Sequence, residues 1–201
     1  MKQKLSIIKI GGNVIENKKE LTTFLQAFSK IEGLKILVHG GGKLATKLGE
    51  KLGIASKLVN GRRITDAQSL EVITMVYGGL ANKNIVAELQ SLECNAIGLS
   101  GADANLIQAN KRPVAEVDFG FVGDITTVNS DALHKILENQ WMPVFCAISH
   151  NKKGQLLNTN ADTIASEIAI GMSDMYETTL YYCFEKKGVL MHYIKKLLKY
   201  A

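Results

Sequence analysis

The sequence predicts an α/β protein, a three-layer αβα sandwich built on a mainly parallel central sheet. Two observations carry that prediction. Strand-length apolar runs alternate with helix-period segments over most of the 201 residues, the pattern of chains that wind a parallel sheet between helices. Two of those strands, Leu5–Ile10 and Ile36–His39, run straight into glycines, at Gly11–Gly12 and Gly40–Gly42. In a parallel sheet such strand ends share one edge, where the ligands of open α/β folds gather.

After the first strand, Lys19–Lys30 carries Leu21, Phe24, Leu25 and Phe28 at helical spacing, and Glu32–Gly33 stops it. The second strand and its glycine loop lead into a helix near Leu44–Leu52, closed by Gly53. Val59 to Asp66 reads as a turn, with Thr65 or Asp66 as N-cap of a long helix, Ala67–Leu92, interrupted at Gly78–Gly79. Asn95–Leu99 is a short strand. From Leu106 to Val128, short runs punctuated by Pro113, Gly120 and Gly123 predict hairpins at one edge of the sheet. Ser130 is the expected cap of a helix to Asn139, Pro143–Ile148 a buried strand, and Gly154–Leu157 a small hairpin arm. Asn158 to Asp162 leads into a helix ending at Gly171, and Leu180–Phe184 is the last strand.

Composition narrows the function classes. Hydrophobic content of 46% and charged content of 21% are ordinary for a soluble protein. No apolar run approaches the ~18 residues of a membrane span, and the first residues enter a strand with no secretory leader, so no membrane partner is expected. Cys94, Cys146 and Cys183 are far apart in apolar runs. They fit reduced core residues of a cytoplasmic protein, and neither they nor the four histidines show metal-ligand spacing. The net charge of +5 is concentrated in the tail, where Glu185–Ala201 holds five lysines and one acid. The other 184 residues hold 19 basic and 18 acidic groups, so the body has no charge excess to draw it onto nucleic acid.

The two glycine-rich strand ends could each be a tight ligand-free turn. Together they point to main-chain N–H groups and helix N-termini facing an anion. Lys9 lies inside the apolar first strand, two residues before Gly11. It is either a lysine snorkelling from a strand end or a fixed positive charge suited to a transferring phosphoryl group. His39 reads as a core hydrogen-bonding residue. Of Arg62 and Arg63, one can be solvated while the other forks onto a carboxylate. Asn158, Asn160 and Asp162 form either a helix cap with an acid in its first turn or a polar cluster that orients a lysine or Mg²⁺. The phosphate loop ending in Gly-Lys-Ser/Thr is absent, since Leu44 follows Gly42–Lys43. Gly40 to Ala45 fits a loose dinucleotide pattern. Asp66, however, sits in a turn and not at the end of a second strand, a poor match for the acid that pattern wants.

Six stretches, in order, resemble the N-acetylglutamate kinases of the amino acid kinase superfamily. They are Lys9–Gly12, His39–Gly42, Asn60–Thr65, Gly98–Asn105, Val122–Asp124 and Leu157–Asp162, within a likeness running from about Ser6 to Leu190. The resemblance implies the amino acid kinase (carbamate kinase-like) fold. It also implies transfer of the ATP γ-phosphoryl to the side-chain carboxylate of an N-acyl-L-glutamate, with Mg²⁺, in arginine biosynthesis. Lys9 would stabilise the transition state and Asp162 would organise the catalytic lysines. Gly11 and Gly12 would bind the phosphoryl group, and Gly41 and Gly42 the substrate. Arg63 would hold the α-carboxylate and Asn158 the acylamino end. Leu180, Tyr181, Tyr182, Cys183, Phe184, Glu185 and Lys186 fall where the family begins to bind nucleotide.

By the same resemblance, residues 1–175 are expected to form the acyl-glutamate and dimerisation lobe, and 176–201 an incomplete start of the nucleotide lobe. Family members continue past Leu190 with a segment that supplies a second catalytic lysine, whereas Met191–Ala201 here is a short basic stretch. The chain therefore reads as truncated or replaced after Leu190. Arginine-inhibited members carry an N-terminal helix that interlaces hexamers. With the first strand beginning near Leu5, the expectation here is a homodimer through Ala67–Leu92 without arginine inhibition. Two other readings are a nucleotide-linked oxidoreductase using Gly40–Ala45 and a non-catalytic ligand-binding remnant.

Overall fold

The computed structural model describes residues 2–183. In chain order, β1 (Lys4–Ile10) is followed by α1 (Gly12–Glu16), α2 (Lys18–Ser29), β2 (Leu34–His39), α3 (Gly42–Lys51) and the strands β3 (Lys57–Val59) and β4 (Arg62–Ile64). Next come α4 (Ala67–Ile73), a π-helical segment (Thr74–Ala81), α5 (Asn82–Ser91), β5 (Ala96–Leu99), β6 (Ile107–Lys111), β7 (Gly123–Val128) and α6 (Ser130–Glu138). The described chain ends with β8 (Met142–Cys146), β9 (Ile148–His150), β10 (Leu156–Asn158), α7 (Ala161–Met172) and β11 (Glu177–Cys183).

Five strands form a parallel sheet in the order β11–β1–β2–β8–β5. Side chains alternate across it, so the sheet feeds two apolar cores. Leu5, Ile7, Ile36, Val38 and Phe145 pack with Ile73, Leu133 and Ile164 from α4, α6 and α7. Ile8, Ile10, Leu37 and Val144 pack with Leu25, Phe28 and Ile85 from α2 and α5. This is the expected three-layer sandwich.

Four local expectations need correction. The Leu106–Val128 hairpin is not at an edge of the parallel sheet; it forms a second sheet, β10–β9–β6–β7. A Cβ on Gly123 would stand 2.9 Å from Leu157 Cβ and 3.0 Å from Ala109 Cβ, so that glycine admits the strands' close approach. Pro143–Ile148 divides into β8, in the first sheet, and the start of β9, in the second. The polar turn is a hairpin, β3–β4, with Asn60 and Gly61 at φ 50° and 75°, as a tight two-residue turn needs. Asn129, not Ser130, caps α6 by accepting from Ala132 N–H, while Ser130 Oγ donates to the Gly171 carbonyl.

The long helix also departs from expectation. Gly78–Gly79 does not break it; the chain stays helical and widens into the π segment. Glycine weakens a helical ladder without forbidding it. Asp66 is the cap of α4, accepting from Ser69 N–H at 2.8 Å.

Candidate active site

The ends of β1 and β2, the first turn of α7 and the second sheet enclose a cavity of about 490 Å³. Lys9 follows Leu5 and Ile7 on the sheet face that packs against α7. Its Nζ therefore meets α7's first turn, 2.7 Å from Asp162 Oδ1. Asn160 caps the same helix, accepting from Asp162 and Thr163 N–H. The helix-cap and lysine-orienting readings of that turn thus hold together. Asp162 is the acid among the described residues that line the cavity, against Lys9, Lys43, Arg62, Arg63 and Arg112.

Of the expected main-chain donors, Gly12, Gly41 and Gly42 line the cavity. Gly11 differs: its N–H donates to the Cys183 carbonyl at 3.3 Å and continues the β1–β11 pairing. No side chain caps α3 at Gly41, so its first N–H groups are left for the cavity or solvent.

The two arginines separate as the sequence allowed. Arg62 is exposed, whereas Arg63 is half-buried behind the glycine loop. Arg63 Nη2 donates to the Gly42 carbonyl at 2.9 Å and Thr46 Oγ1 at 2.7 Å, and Nη1 to Ser56 Oγ. The Nε–H and the second Nη1–H remain for a ligand.

Asn158 ends β10 and donates from Nδ2 to Thr65 Oγ1 at 3.0 Å. Its main-chain N–H donates to the Phe121 carbonyl at 2.9 Å. Thr65 is fully buried and also exchanges main-chain bonds with Phe119 and Phe121, so β4, β10 and the loop before β7 meet on it.

Leu180 to Cys183 pair with Ile7 to Ile10, on the side of β1 away from β2. Tyr182 is the register partner of Lys9, and its hydroxyl donates to the Asp162 carbonyl at 3.3 Å. Phe184, Glu185, Lys186 and the basic tail lie outside the described residues.

Three cavity residues escaped the sequence reading. Tyr77 comes from the π segment, and burial pushes its phenol pKa up. Arg112 reaches the cavity from the end of β6, held by Asp124 at 2.6 Å, which raises its pKa further. Phe119 lies against Arg112, its ring centre 5.7 Å from the guanidinium carbon. The motif Val122–Asp124 hinted at this wall, but pairing across a hairpin has no local signature.

Among the described residues no three His, Cys, Asp or Glu side chains converge on a metal position. Asp66 caps α4, and the Ser69 N–H holds its carboxyl below the usual range. It is committed there and is not set at a strand end to bind a ribose, which removes the support for a dinucleotide site. No described helix is long and apolar enough to cross a membrane.

Known proteins give the same picture. The profile of the amino acid kinase family matches residues 4–192. An acetylglutamate kinase of Parabacteroides distasonis is 58% identical over 189 residues, 94% of this chain and 74% of that protein. Another, from Cytophaga hutchinsonii, is 53% identical over 195 residues, 96% of this chain and 74% of that protein. Among solved structures, smu.665 of Streptococcus mutans UA159 superposes with a TM-score of 0.81 at 24% identity, over 98% of this chain and 82% of that one. That structure supports the fold alone. With the sandwich, the paired glycine loops and identity above half to named relatives, this chain belongs to the amino acid kinase family, beside the acetylglutamate kinases.

Proposed function

We propose that the protein transfers the γ-phosphoryl group of ATP to the side-chain carboxylate of N-acetyl-L-glutamate. A carboxylate oxygen forms the new bond to phosphorus, the bond to the β-phosphate oxygen breaks, and ADP leaves beside an acyl phosphate. The observation that carries this reading is the Lys9–Asp162 pair, 2.7 Å apart between two glycine loops. A buried, oriented ammonium is what a loose, charge-spreading phosphoryl transition state requires.

The other roles follow from placement. Gly12 N–H faces the phosphoryl group, and Gly41 and Gly42 the substrate carboxylate. Arg63 holds the α-carboxylate with its unengaged N–H groups. Asn158 accepts the substrate amide N–H on Oδ1, with one Nδ2 hydrogen donated to Thr65 fixing the carboxamide. With one cavity acid already paired to Lys9, Mg²⁺ fits here as an ion carried on the triphosphate oxygens, where it supplies charge neutralisation. Residues 176–201 are assigned to the nucleotide lobe and 1–175 to the acyl-glutamate lobe, supported by β11 lying beside Lys9. Met75 and Leu80, both about half exposed on the π segment, support a homodimer through that helix. Free Cys94, Cys146 and Cys183 fit a reducing cytoplasm.

Titration calorimetry with N-acetyl-L-glutamate, ATP–Mg²⁺ and NAD tests the reading. A hydroxylamine trap for the acyl phosphate is run in parallel, on this chain and on a fusion extended to the length of its relatives. Acyl-glutamate binding with trapped acyl phosphate is expected. Binding of NAD alone would overturn the assignment.

A further inference from the structure

The helix that crosses behind the glycine loop touches it at two points, and both contacts depend on its π turn. A Cβ on Gly41 would stand 2.9 Å from Tyr77 Cδ1 and 3.0 Å from Cε1, so the phenol ring already fills the space under that glycine. Asn82 makes the second contact through His39. Its Nδ2 donates to His39 Nε2 at 3.0 Å and to the Val144 carbonyl at 2.9 Å, and its Oδ1 accepts from Lys83 Nζ at 3.1 Å. Those partners fix the amide's orientation. The His39 Nε2 is then an acceptor, and the proton sits on Nδ1, which donates to the Gly40 carbonyl at 2.7 Å. Burial lowers the imidazole pKa to about 4, so it stays neutral in that tautomer at working pH.

Tyr77 and Asn82 are five residues apart. In an α-helix that separation turns side chains about 140° from one another. Here Asn82 N–H reaches the Tyr77 carbonyl across the π turn, which stacks the two residues on one side. The arrangement extends beyond the cavity to Gly98, where a Cβ would fall 1.9 Å from Asn82 Oδ1.

We infer that the π-helical turn is a prop for the substrate loop, with Tyr77 and the Asn82–His39 relay acting as positioning residues for Gly40–Gly42. The link to substrate rests on the function proposed above; the prop itself does not. A loop of three glycines has no side chains with which to hold its own shape, so its N–H groups are directed from behind.

The test uses Asn82→Leu, Tyr77→Ala, Tyr77→Phe and Gly98→Ala in the full chain. Amide hydrogen exchange at Gly40–Lys43, ¹⁵N shifts of the His39 ring and calorimetric Kd for N-acetyl-L-glutamate are measured in each. Loss of one buried hydrogen-bond partner predicts roughly tenfold weaker binding and roughly tenfold faster loop exchange in Asn82→Leu. Tyr77→Ala is expected to match it, while Tyr77→Phe, which keeps the ring, stays near wild type. In Asn82→Leu the His39 ring shifts move towards a mixed tautomer. Gly98→Ala, outside the cavity, reproduces Asn82→Leu and serves if that variant does not fold. Unchanged loop exchange in folded Tyr77→Ala and Gly98→Ala overturns the prop. If wild type binds no acyl-glutamate, the proposed function fails, while exchange and ring shifts still decide the prop.

Discussion

The cavity has two walls made in different ways. The parallel sheet contributes main chain and one buried lysine: β1 and β2 end in glycines, and Lys9 is 8% exposed. The second sheet and its loops contribute side chains, Asn158, Arg112 and Phe119, tied to one another through Thr65 and Asp124. The first wall is backed by two apolar cores; the second shares one of them through Ile107, Ile148 and Leu156, and its cavity side chains are aimed by a handful of hydrogen bonds. In the proposed mechanism the lysine that acts on the phosphoryl group stands on the first wall, and the side chain that holds the acylamino end stands on the second.

The largest expected effect breaks the first wall. Lys9→Ala removes a preorganised cation, and such losses cost about 2.7–4 kcal/mol, or roughly 10²–10³ in kcat. KM for acyl-glutamate stays nearly unchanged, because in the proposed mechanism the lysine acts on the phosphoryl group. Steady-state kinetics in the extended fusion measures both. If at least a third of kcat survives, Lys9 is a strand-end lysine and the site centred on it is wrong.

The second effect also belongs to that wall. His39 has an ordinary pKa of 6.5 when unfolded and about 4 when folded, because burial disfavours its charged form. Lys83, held on Asn82 Oδ1, adds repulsion. Between those values the unfolded chain takes up a proton that the native chain refuses. Stability is therefore complete above pH 6.5 and falls as pH drops towards 4, by about 3 kcal/mol in all. Urea titrations of wild type and His39→Gln across that window measure it, and parallel pH profiles for the two would assign the acid loss elsewhere.

The same contrast explains what was legible in the sequence. Strands β1, β2 and β8, the glycine loops and the α7 turn announce themselves by apolar runs and punctuation, so the meeting of Lys9, Gly41, Gly42 and Asp162 around one cavity was legible in the chain. The second wall depends on pairing between distant segments. Arg112 meets Asp124 only because β6 and β7 pair, and Thr65 looked like a cap when it is the point on which three segments converge. The π turn left no trace either, since two glycines in a helix usually signal a break. Gly11 shows the converse error: a glycine in the right motif whose N–H is taken up by sheet pairing.

A third, smaller effect tests the hub. Gly120 has φ +69°, and an added Cβ would lie 2.2 Å from the Thr65 carbonyl. Gly120→Ala should destabilise the fold by about 1–3 kcal/mol and raise KM for acyl-glutamate, because Asn158 hangs on the same threonine. Asn158→Ala should raise KM by roughly tenfold through one lost hydrogen bond and, because it also leaves the buried Thr65 hydroxyl without its donor, destabilise the fold by about 1 kcal/mol. A Gly120→Ala variant that melts like wild type would show that the hub tolerates displacement.

The smallest effect concerns Arg112 and Asp124, whose side chains are 27% and 47% exposed. An ion pair so open to water contributes only about 0–1 kcal/mol, screened further by salt. Asp124→Asn should therefore lower the melting temperature by no more than about 4 °C for a chain of this size. The guanidinium would nevertheless lose the carboxylate that aims it, and Phe119 its steady neighbour. KM for acyl-glutamate should rise by about two- to threefold, the gap narrowing as sodium chloride weakens the pair in wild type. Scanning calorimetry and salt-dependent kinetics on one preparation separate stability from aim. A melting drop above about 5 °C would mean that this pair holds the second sheet together, and that both walls of the cavity are equally built in.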